Sequence, residues 1–326
     1  MARILNGVLA IVVGVGGAVV LYWLLNTMVE RLPSKWEHRI KPYVFIGPAI
    51  AVLTLFLVYP AIRTFYVSFL DARSVNFVGV SNYQVVFTDP DIRSAVFNNI
   101  LWIIFVPTFS VAIGLAVAVL SDRLTPLWEK VSKSVIFMPM AISMVGASTI
   151  WLFIYTWRPP GTAQIGLLNG IWTALGGQPQ TWLNITSARL NSFLLMVILI
   201  WLQAGFAMVL LSAAIKNVPE ETLEAARIDG ASELQIFWRV TVPQIRSTIV
   251  VVTTTILILV LKIFDVPRVM TSGDFDTNVI ANIFYDQAFT FGDRGRASVV
   301  VVALIVMTLP FMYLNIKRFR EQEAQR

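Results

Sequence analysis

Set within the long apolar runs of this 326-residue chain are a few polar side chains that could do chemistry. Gln203 lies close to Trp201 and Phe206, and an amide beside aromatic rings is a common way to hold a neutral sugar. Its plainer use would be a hydrogen bond between helices. Asn98, Asn99 and Trp102 cluster at one end of another apolar run, where gating and interfacial anchoring are equally open. Lys262 and Asp265 stand i, i+3, so on one helix they would share a face and could pair. Charges inside an apolar run are functional candidates, because leaving them in hydrocarbon is expensive. Neighbouring runs offer no second acid or histidine, so a structural pair or a pathway lining fits better than a proton relay.

Other chemistry is poorly provided for. The chain has no cysteine and a single histidine, His38. Disulfides and thiolates are excluded, no His-rich metal site or Ser-His-Asp triad is expected, and no catalytic residue or metal ligand is assigned. Among the loop acids Asp274, Asp276, Asp286 and Asp293, only Asp274-Phe-Asp276 has D-x-D spacing, which is more often a solvated loop. No G-x-x-x-x-G-K-[ST] occurs, nor any Gly-Lys pair, so the chain is not expected to hold ATP itself.

The elements that must position these groups are helices in lipid. Hydrophobic residues make up 57 % of the chain and charged residues 13 %, against about 25 % charged in soluble domains. A hydrocarbon core of about 30 Å takes about 20 apolar residues per helix. Seven segments meet that length, near 5–29, 43–70, 97–120, 134–157, 190–215, 248–270 and 297–316. The first follows Arg3 but is too long for a signal peptide and lacks an A-x-A site, so it is expected to remain. Ala10, Gly14 and Ala18 recur along it every four residues and could pack it on a neighbour.

Lysine and arginine number fifteen in the loops near 31–41, 123–133, 216–246 and 317–326, and seven in the opposite set. The positive-inside rule places the first set in the cytoplasm, the amino terminus outside and the carboxyl terminus inside. The net charge of +6 then belongs to inner loops rather than to a nucleic-acid site. The outer loops, near 71–96, 158–189 and 271–296, suit turns and short lids. No internal repeat supports an inverted-repeat carrier.

One cytoplasmic segment, EAARIDGASELQIFWRVTVP (224–243), breaks the apolar pattern. Pro219, Glu220 and Glu221 predict a helix start, and Gly230 a left-handed stop. Ser232 and Gln235 fit a capping box for a second helix. Leu234, Phe237, Trp238 and Thr241 give that helix an apolar face expected to anchor it to the spans, and Pro243 should end it. From spacing alone this is a helical hairpin lying at the membrane surface.

The segment resembles the EAA loop of binding-protein-dependent ABC importer permeases, written E-A-A, three residues, G, nine residues, I-x-L-P. Glu224, Ala225, Ala226, Gly230 and Pro243 match, with Val240 and Val242 in place of Ile and Leu. Residues 77–102 and 264–289 are similar to outer segments of the carbohydrate branch. There Val80, Asn99 and Ser272 depart from the usual residues, and Asp265 matches an FD dipeptide.

The resemblance covers about 43–320. It implies an all-α polytopic membrane protein of about seven transmembrane helices: a six-helix permease core (43–320, coupling loop 216–247) and one extra N-terminal helix and link (1–42). Residues 321–326 would be a tail. It further implies an inner-membrane permease, not an enzyme, working by alternating access. Its partners would be two ATP-binding subunits carrying ATP and Mg, a second, non-identical permease, and a periplasmic substrate-binding protein. Glu224, Ala225, Ala226, Gly230, Leu234, Phe237 and Pro243 would form the ATPase-coupling element. Gln203, Trp201, Phe206, Asn98, Asn99, Trp102, Lys262 and Asp265 are the candidates for the substrate path. A neutral α-glucoside, oligosaccharide or glucosyl-polyol osmolyte suits the residues better than glycerol phosphate, since only Lys262 and Arg268 offer positive charge. The same importer for glycerol phosphate or a polyol is the alternative within transport. A membrane enzyme acting on glycosyl or lipid substrates is the alternative from another class.

Overall fold

The computed structural model describes residues 2–31 and 33–323, without the side chains of residues 2–4, 8, 34, 35, 314–316 and 318–323. Among the described residues the structure is helical, and Leu70 and Phe77 form an isolated antiparallel bridge. The chain divides into two compact units, residues 1–66 and 67–326.

In the first unit, α1 (Ala2–Glu30) and α2 (Ser34–Leu53) pack together, with Tyr22 stacked on Phe45 at 6.1 Å between ring centres. The α2 helix runs through a π turn (Thr54–Val58) into α3 (Tyr59–Val67). Pro60 explains the wide turn. It has no N–H to give and its ring would strike the carbonyl four residues back, so the preceding turn opens to an i→i+5 bond. The Tyr59 N–H accordingly reaches the Thr54 carbonyl. Leu5–Glu30 and Trp36–Val67 are both long and apolar enough to cross a membrane.

The second unit begins with α4 (Ser81–Thr88) and α5 (Pro90–Ser121), the latter capped by Asp89, which accepts from the Asp91 N–H at 2.9 Å. Then come α6 (Pro126–Phe137), α7 (Met144–Tyr155), α8 (Leu167–Ala174) and α9 (Leu190–Lys216). Next are α10 (Glu220–Ile228), α11 (Glu233–Ile236), α12 (Val242–Gln244) and α13 (Arg246–Val260). The unit ends with α14 (Asp265–Thr271), α15 (Ile280–Tyr285) and α16 (Arg294–Glu323).

Its axis is α9, apolar all round and therefore buried. Leu195, Ile198, Leu199, Met208 and Leu211 form a core with Trp102, Val106 and Ile256. Helices α5 and α9 run the same way. Arg189 Nη1 donates to Asn98 Oδ1 at 2.7 Å at one end, and Ser212 Oγ to Asp122 Oδ1 at 3.1 Å at the other. Between these ends the helices nearly touch: a Cβ on Gly114 would stand 2.6 Å from the Ala207 Cβ and 2.8 Å from the Met208 nitrogen.

Two parallel helices require the chain to cross back between them. The crossing is made by α6 and α7, bent through 104°. It starts beside Asp122, where Lys133 reaches that carboxylate at 2.9 Å. It ends where the Tyr155 hydroxyl donates to the Leu194 carbonyl at 2.9 Å. The straight span expected over 134–157 is thus a broken one. Pro139 interrupts the ladder in a 3-10 turn (Met138–Ala141), and Ser143 opens a new helix by accepting from the Gly146 N–H.

The return crossing after α9 is also broken. Glu233–Gln244 and α13 meet at 69°, and the helix expected over 248–270 stops at Val260 and resumes at Asp265. Lys262 and Asp265 therefore do not lie i, i+3 on one helix, and no ion pair joins them. Among the described residues five helices are long and apolar enough to cross a membrane, and up to seven crossings result if each bent pair is counted as one.

Candidate functional site

Two regions collect the residues singled out above. The first is the hairpin of α10 to α12, which departs from α9 at Lys216. Pro219 leads into α10 with Glu220 and Glu221 in its first turn. The helix ends at Gly230, φ +80°, with the Gly230 N–H on the Arg227 carbonyl and the Ala231 N–H on the Ala226 carbonyl, both at 3.0 Å. This paired 5→2 and 6→1 pattern is the Schellman stop expected of a left-handed glycine. Ser232 and Gln235 complete the capping box: the Ser232 N–H donates to Gln235 Oε1 at 2.8 Å, and the Gln235 N–H reaches Ser232 Oγ at 3.4 Å. Arg227 Nε clips Glu233 at 2.8 Å across the turn, and that carboxylate raises the guanidinium further above its usual range.

The anchoring face agrees with the expected one at Thr241 and in part at Phe237, and differs at Leu234 and Trp238. Ile236, Thr241 and Ile245 are buried, whereas Leu234 is 69 % and Trp238 59 % exposed. The cause is a π turn over Phe237–Thr241, in which the Val242 N–H bonds the Phe237 carbonyl. Five residues make that turn, so Ile236 and Thr241 stack, and Ile245 follows one ordinary turn later. Pro243, which like Pro60 follows a π turn by two residues, stands one residue before the helix ends at Gln244, where the chain bends 69° into α13. Phe237 is half-buried and rests edge-on against Trp238 at 5.0 Å. On the open side, Ile228 (85 % exposed), Leu234 and Trp238 offer apolar surface, with Glu224 and Ala225 also exposed and Ala226 half-buried.

The second region is the middle of α9. Gln203 is 8 % exposed, and its amide has no hydrogen-bond partner within the described chain. Trp201 meets Trp151 edge-on at 5.9 Å, and Trp151 lies 5.4 Å from Tyr155, while Phe206 is half-buried. The Trp151 Nε1 is itself buried without an acceptor. Two residues past Gln203, Gly205 receives the broken span: its Cβ would lie 2.5 Å from the Ile136 carbonyl oxygen. The break between α6 and α7 therefore sits at the depth of Gln203. Non-helical backbone at such depth is tolerated where it is buried in protein or lines a water-filled cavity.

Asn98, Asn99 and Trp102 sit elsewhere, and none is exposed at a surface. Asn98 is 0 % exposed and donates to the carbonyls of Asp276 (2.6 Å) and Asn278 (2.8 Å), while Asn99 Oδ1 accepts from the Ile280 N–H at 2.9 Å. They bind the 272–280 loop to α5. Arg189 completes the tie through Asn98, the Asp276 carbonyl and Ser94, with its guanidinium 5.0 Å above the Phe97 ring. That loop borders a polar notch of about 320 Å³ that includes Ser94, Gly273, Asp276 and Asn278. At the same end the Val75 N–H and the Asn76 amide hold the Asp71 carboxyl below its usual range.

Lys262 is exposed in the break after α13 and Asp265 is half-buried. Arg268 is already engaged, bonding Asp286 at 2.8 Å and Asn282 at 2.9 Å and lying 4.4 Å above the Tyr285 ring. The close-approach glycines 114 and 205 were not singled out from the sequence. Each lies inside an apolar run, and only its neighbour across the interface shows why it must lack a side chain.

Residues 92–319 match the model of the family described as binding-protein-dependent transport system inner membrane component. The chain belongs to this family. It is a permease of a binding-protein-dependent ABC importer and a multi-pass inner-membrane protein. It is 45 % identical over 331 residues to the alpha-glucoside transport system permease protein AglF of Rhizobium meliloti (strain 1021), covering 97 % of each chain. It is 49 % identical over 283 residues to the osmoprotective compounds uptake permease protein GgtC of Synechocystis sp., covering 87 % of this chain and 100 % of that one. A chain of a bacterial alginate ABC transporter, solved with an alginate pentasaccharide-bound periplasmic protein, superimposes with a TM-score of 0.72. It is 19 % identical and aligns over 85 % of this chain and 94 % of that one, a likeness of fold. For a permease of this family the two regions acquire distinct places: one hairpin at an end of the bundle, one polar position at its middle.

Proposed function

We propose that this permease carries a neutral α-glucoside, or a glucosyl-polyol osmolyte, from a periplasmic binding protein to the cytoplasm, driven by two separate ATP-binding subunits. The observation that carries the substrate class is the likeness to AglF and GgtC, which extends over at least 87 % of the chain. The side chains agree with it. Gln203 brings an unpaired amide with Phe206 one turn further on the helix, suited to sugar hydroxyls and faces, while Trp201, two residues away, packs against Trp151. A phosphate ester would need cations, and Arg268 is committed to Asp286.

The hairpin supplies coupling in this reading. Ile228, Leu234 and Trp238, with Glu224, Ala225 and Ala226, form the face offered to one ATPase, while Phe237 and Pro243 shape the turn behind it. The hairpin end is then cytoplasmic and the notch beside Asp276 faces the binding protein, in agreement with the excess of lysine and arginine in the loops of the hairpin side. Residues 43–320 form the permease core and the first helix is an addition to it. ATP and Mg are held by the partner subunits, and a second, non-identical permease completes the pathway. ATP binding draws the hairpins together and shifts the spans between two packed states. Lys262, exposed in the break at 261–264, and Asp265, at the start of α14, line the path between permeases.

Reconstitution tests this. The complex purified with its binding protein should hydrolyse ATP faster with maltose or glucosylglycerol than without, and should concentrate the labelled sugar in vesicles. Stimulation by glycerol 3-phosphate alone would overturn the substrate assignment.

A further inference from the structure

At the end of the bundle that carries the hairpin, four charged side chains from three helices close on one another. Lys133 Nζ on α6 lies 2.9 Å from Asp122 Oδ1 and 2.6 Å from Glu129 Oε1. Lys216 Nζ, on the last residue of α9, bonds Glu129 and stands 3.9 Å from Asp122. Ser212 Oγ joins the group, donating to Asp122 at 3.1 Å and accepting from Lys133. Two carboxylates meet two ammonium groups, and Lys133, Asp122 and Glu129 are largely buried.

The helices do not need this cluster for their own sake. Asp122 follows the last residue of the 32-residue α5, at the negative end of its dipole, where a carboxylate is unfavourable. The lysines of α6 and α9, with the Ser212 hydroxyl, offset that cost. The cluster is therefore a joint between helices, and its place is specific. Lys216 is three residues before Pro219, where the hairpin begins, so any pull on α10 reaches Lys216 first. Glu129 and Lys133 lie on α6, whose other end is the Pro139 break packed against Gly205, two residues from Gln203.

We infer that Glu129 and Lys216 are positioning residues that join the root of the hairpin to α6, so that displacement of the hairpin moves the broken span beside Gln203. The inference rests on the coupling role proposed above for the hairpin. The joint works as a fixed link: α9 and α6 travel together, and the 138–143 break is carried with them.

The chain has no cysteine, which permits a direct test. In the reconstituted complex, Glu129→Cys with Lys216→Cys breaks the ion pair, and a short bis-methanethiosulfonate reagent replaces it with a covalent link. The readout is binding-protein-stimulated over basal ATPase activity. That ratio should fall about fivefold or more, the low end of an ordinary coupling between sites, and return when the reagent is added. If the double variant does not assemble, Glu129→Gln, which keeps the shape, should lower the same ratio. Full coupling in the broken pair, or coupling abolished by the cross-link, overturns the inference while the permease reading stands. A wild-type chain that recruits no ATPase overturns both.

Discussion

Gly205 lies so close to the carbonyl of Ile136 that a Cβ there would stand 2.5 Å from its oxygen. The contact locks α9 to α6 just before the break in that span. Gly205→Val should therefore destabilise the permease by about 1–3 kcal/mol through overpacking. Thermal unfolding in detergent checks this. An unchanged Tm would mean that the broken span does not sit against α9.

Gly230 offers a contrast, because nothing lies within 4 Å of its absent Cβ. A substitution there costs only the left-handed backbone, about 1–2 kcal/mol for an ordinary residue. Gly230→Val should loosen the hairpin and lower sugar-stimulated ATPase activity, while Gly230→Asn, which tolerates the conformation, should keep most of it. Equal activity in the two variants would separate the Schellman stop from coupling.

The two faces of the hairpin should respond differently. Trp238→Glu changes an exposed side chain, so stability should stay within about 0.5 kcal/mol. Co-purification of the ATP-binding subunits should nevertheless drop. Ile236→Ala removes a buried anchor and should cost about 2–5 kcal/mol in Tm measurements. Retention of both ATPases by the Trp238 variant would remove the exposed face from the docking surface.

The Gln203 amide has no partner within the described chain, so Gln203→Leu should leave Tm unchanged. If the amide binds sugar, losing one hydrogen bond should raise KM about tenfold. Transport titrations decide it, and a lower Tm with unchanged KM would make Gln203 a packing residue.

Asn98 holds two backbone carbonyls of the 272–278 loop. Asn98→Ala leaves the Asn278 carbonyl without that donor and the Asp276 carbonyl with Arg189 alone, at about 1–3 kcal/mol. Limited proteolysis should then cut between residues 272 and 278, where Phe275 and Asp276 already take positive φ. Wild-type resistance in that variant would assign the loop's order to its other ties, from Arg189, Asn191, Asn99 and Asn282.

Much of this protein is written locally. Runs of about twenty apolar residues leave no solvent but lipid, so the number of crossings follows from counting. The hairpin's Gly230 stop and its Ser232–Gln235 box depend on neighbours within five residues, and each forms as the spacing predicts. Twenty positions of preserved EAA spacing likewise indicated the permease family. What the tertiary structure decided lies wherever a residue answers to a distant partner. The breaks at 138–143 and 261–264 sit inside runs that composition reads as continuous, since hydropathy is blind to where a backbone ladder stops. The buried face of the hairpin keeps Thr241 but takes Ile236 and Ile245 in place of Leu234 and Trp238, because one π turn changes the phase of every later side chain. Asn98 became a loop tie, and Asp122 joined Lys133 and Lys216, only once α5, α6 and α9 were brought side by side. Charges and amides carry no address in the sequence; folding supplies the partner that gives each its role.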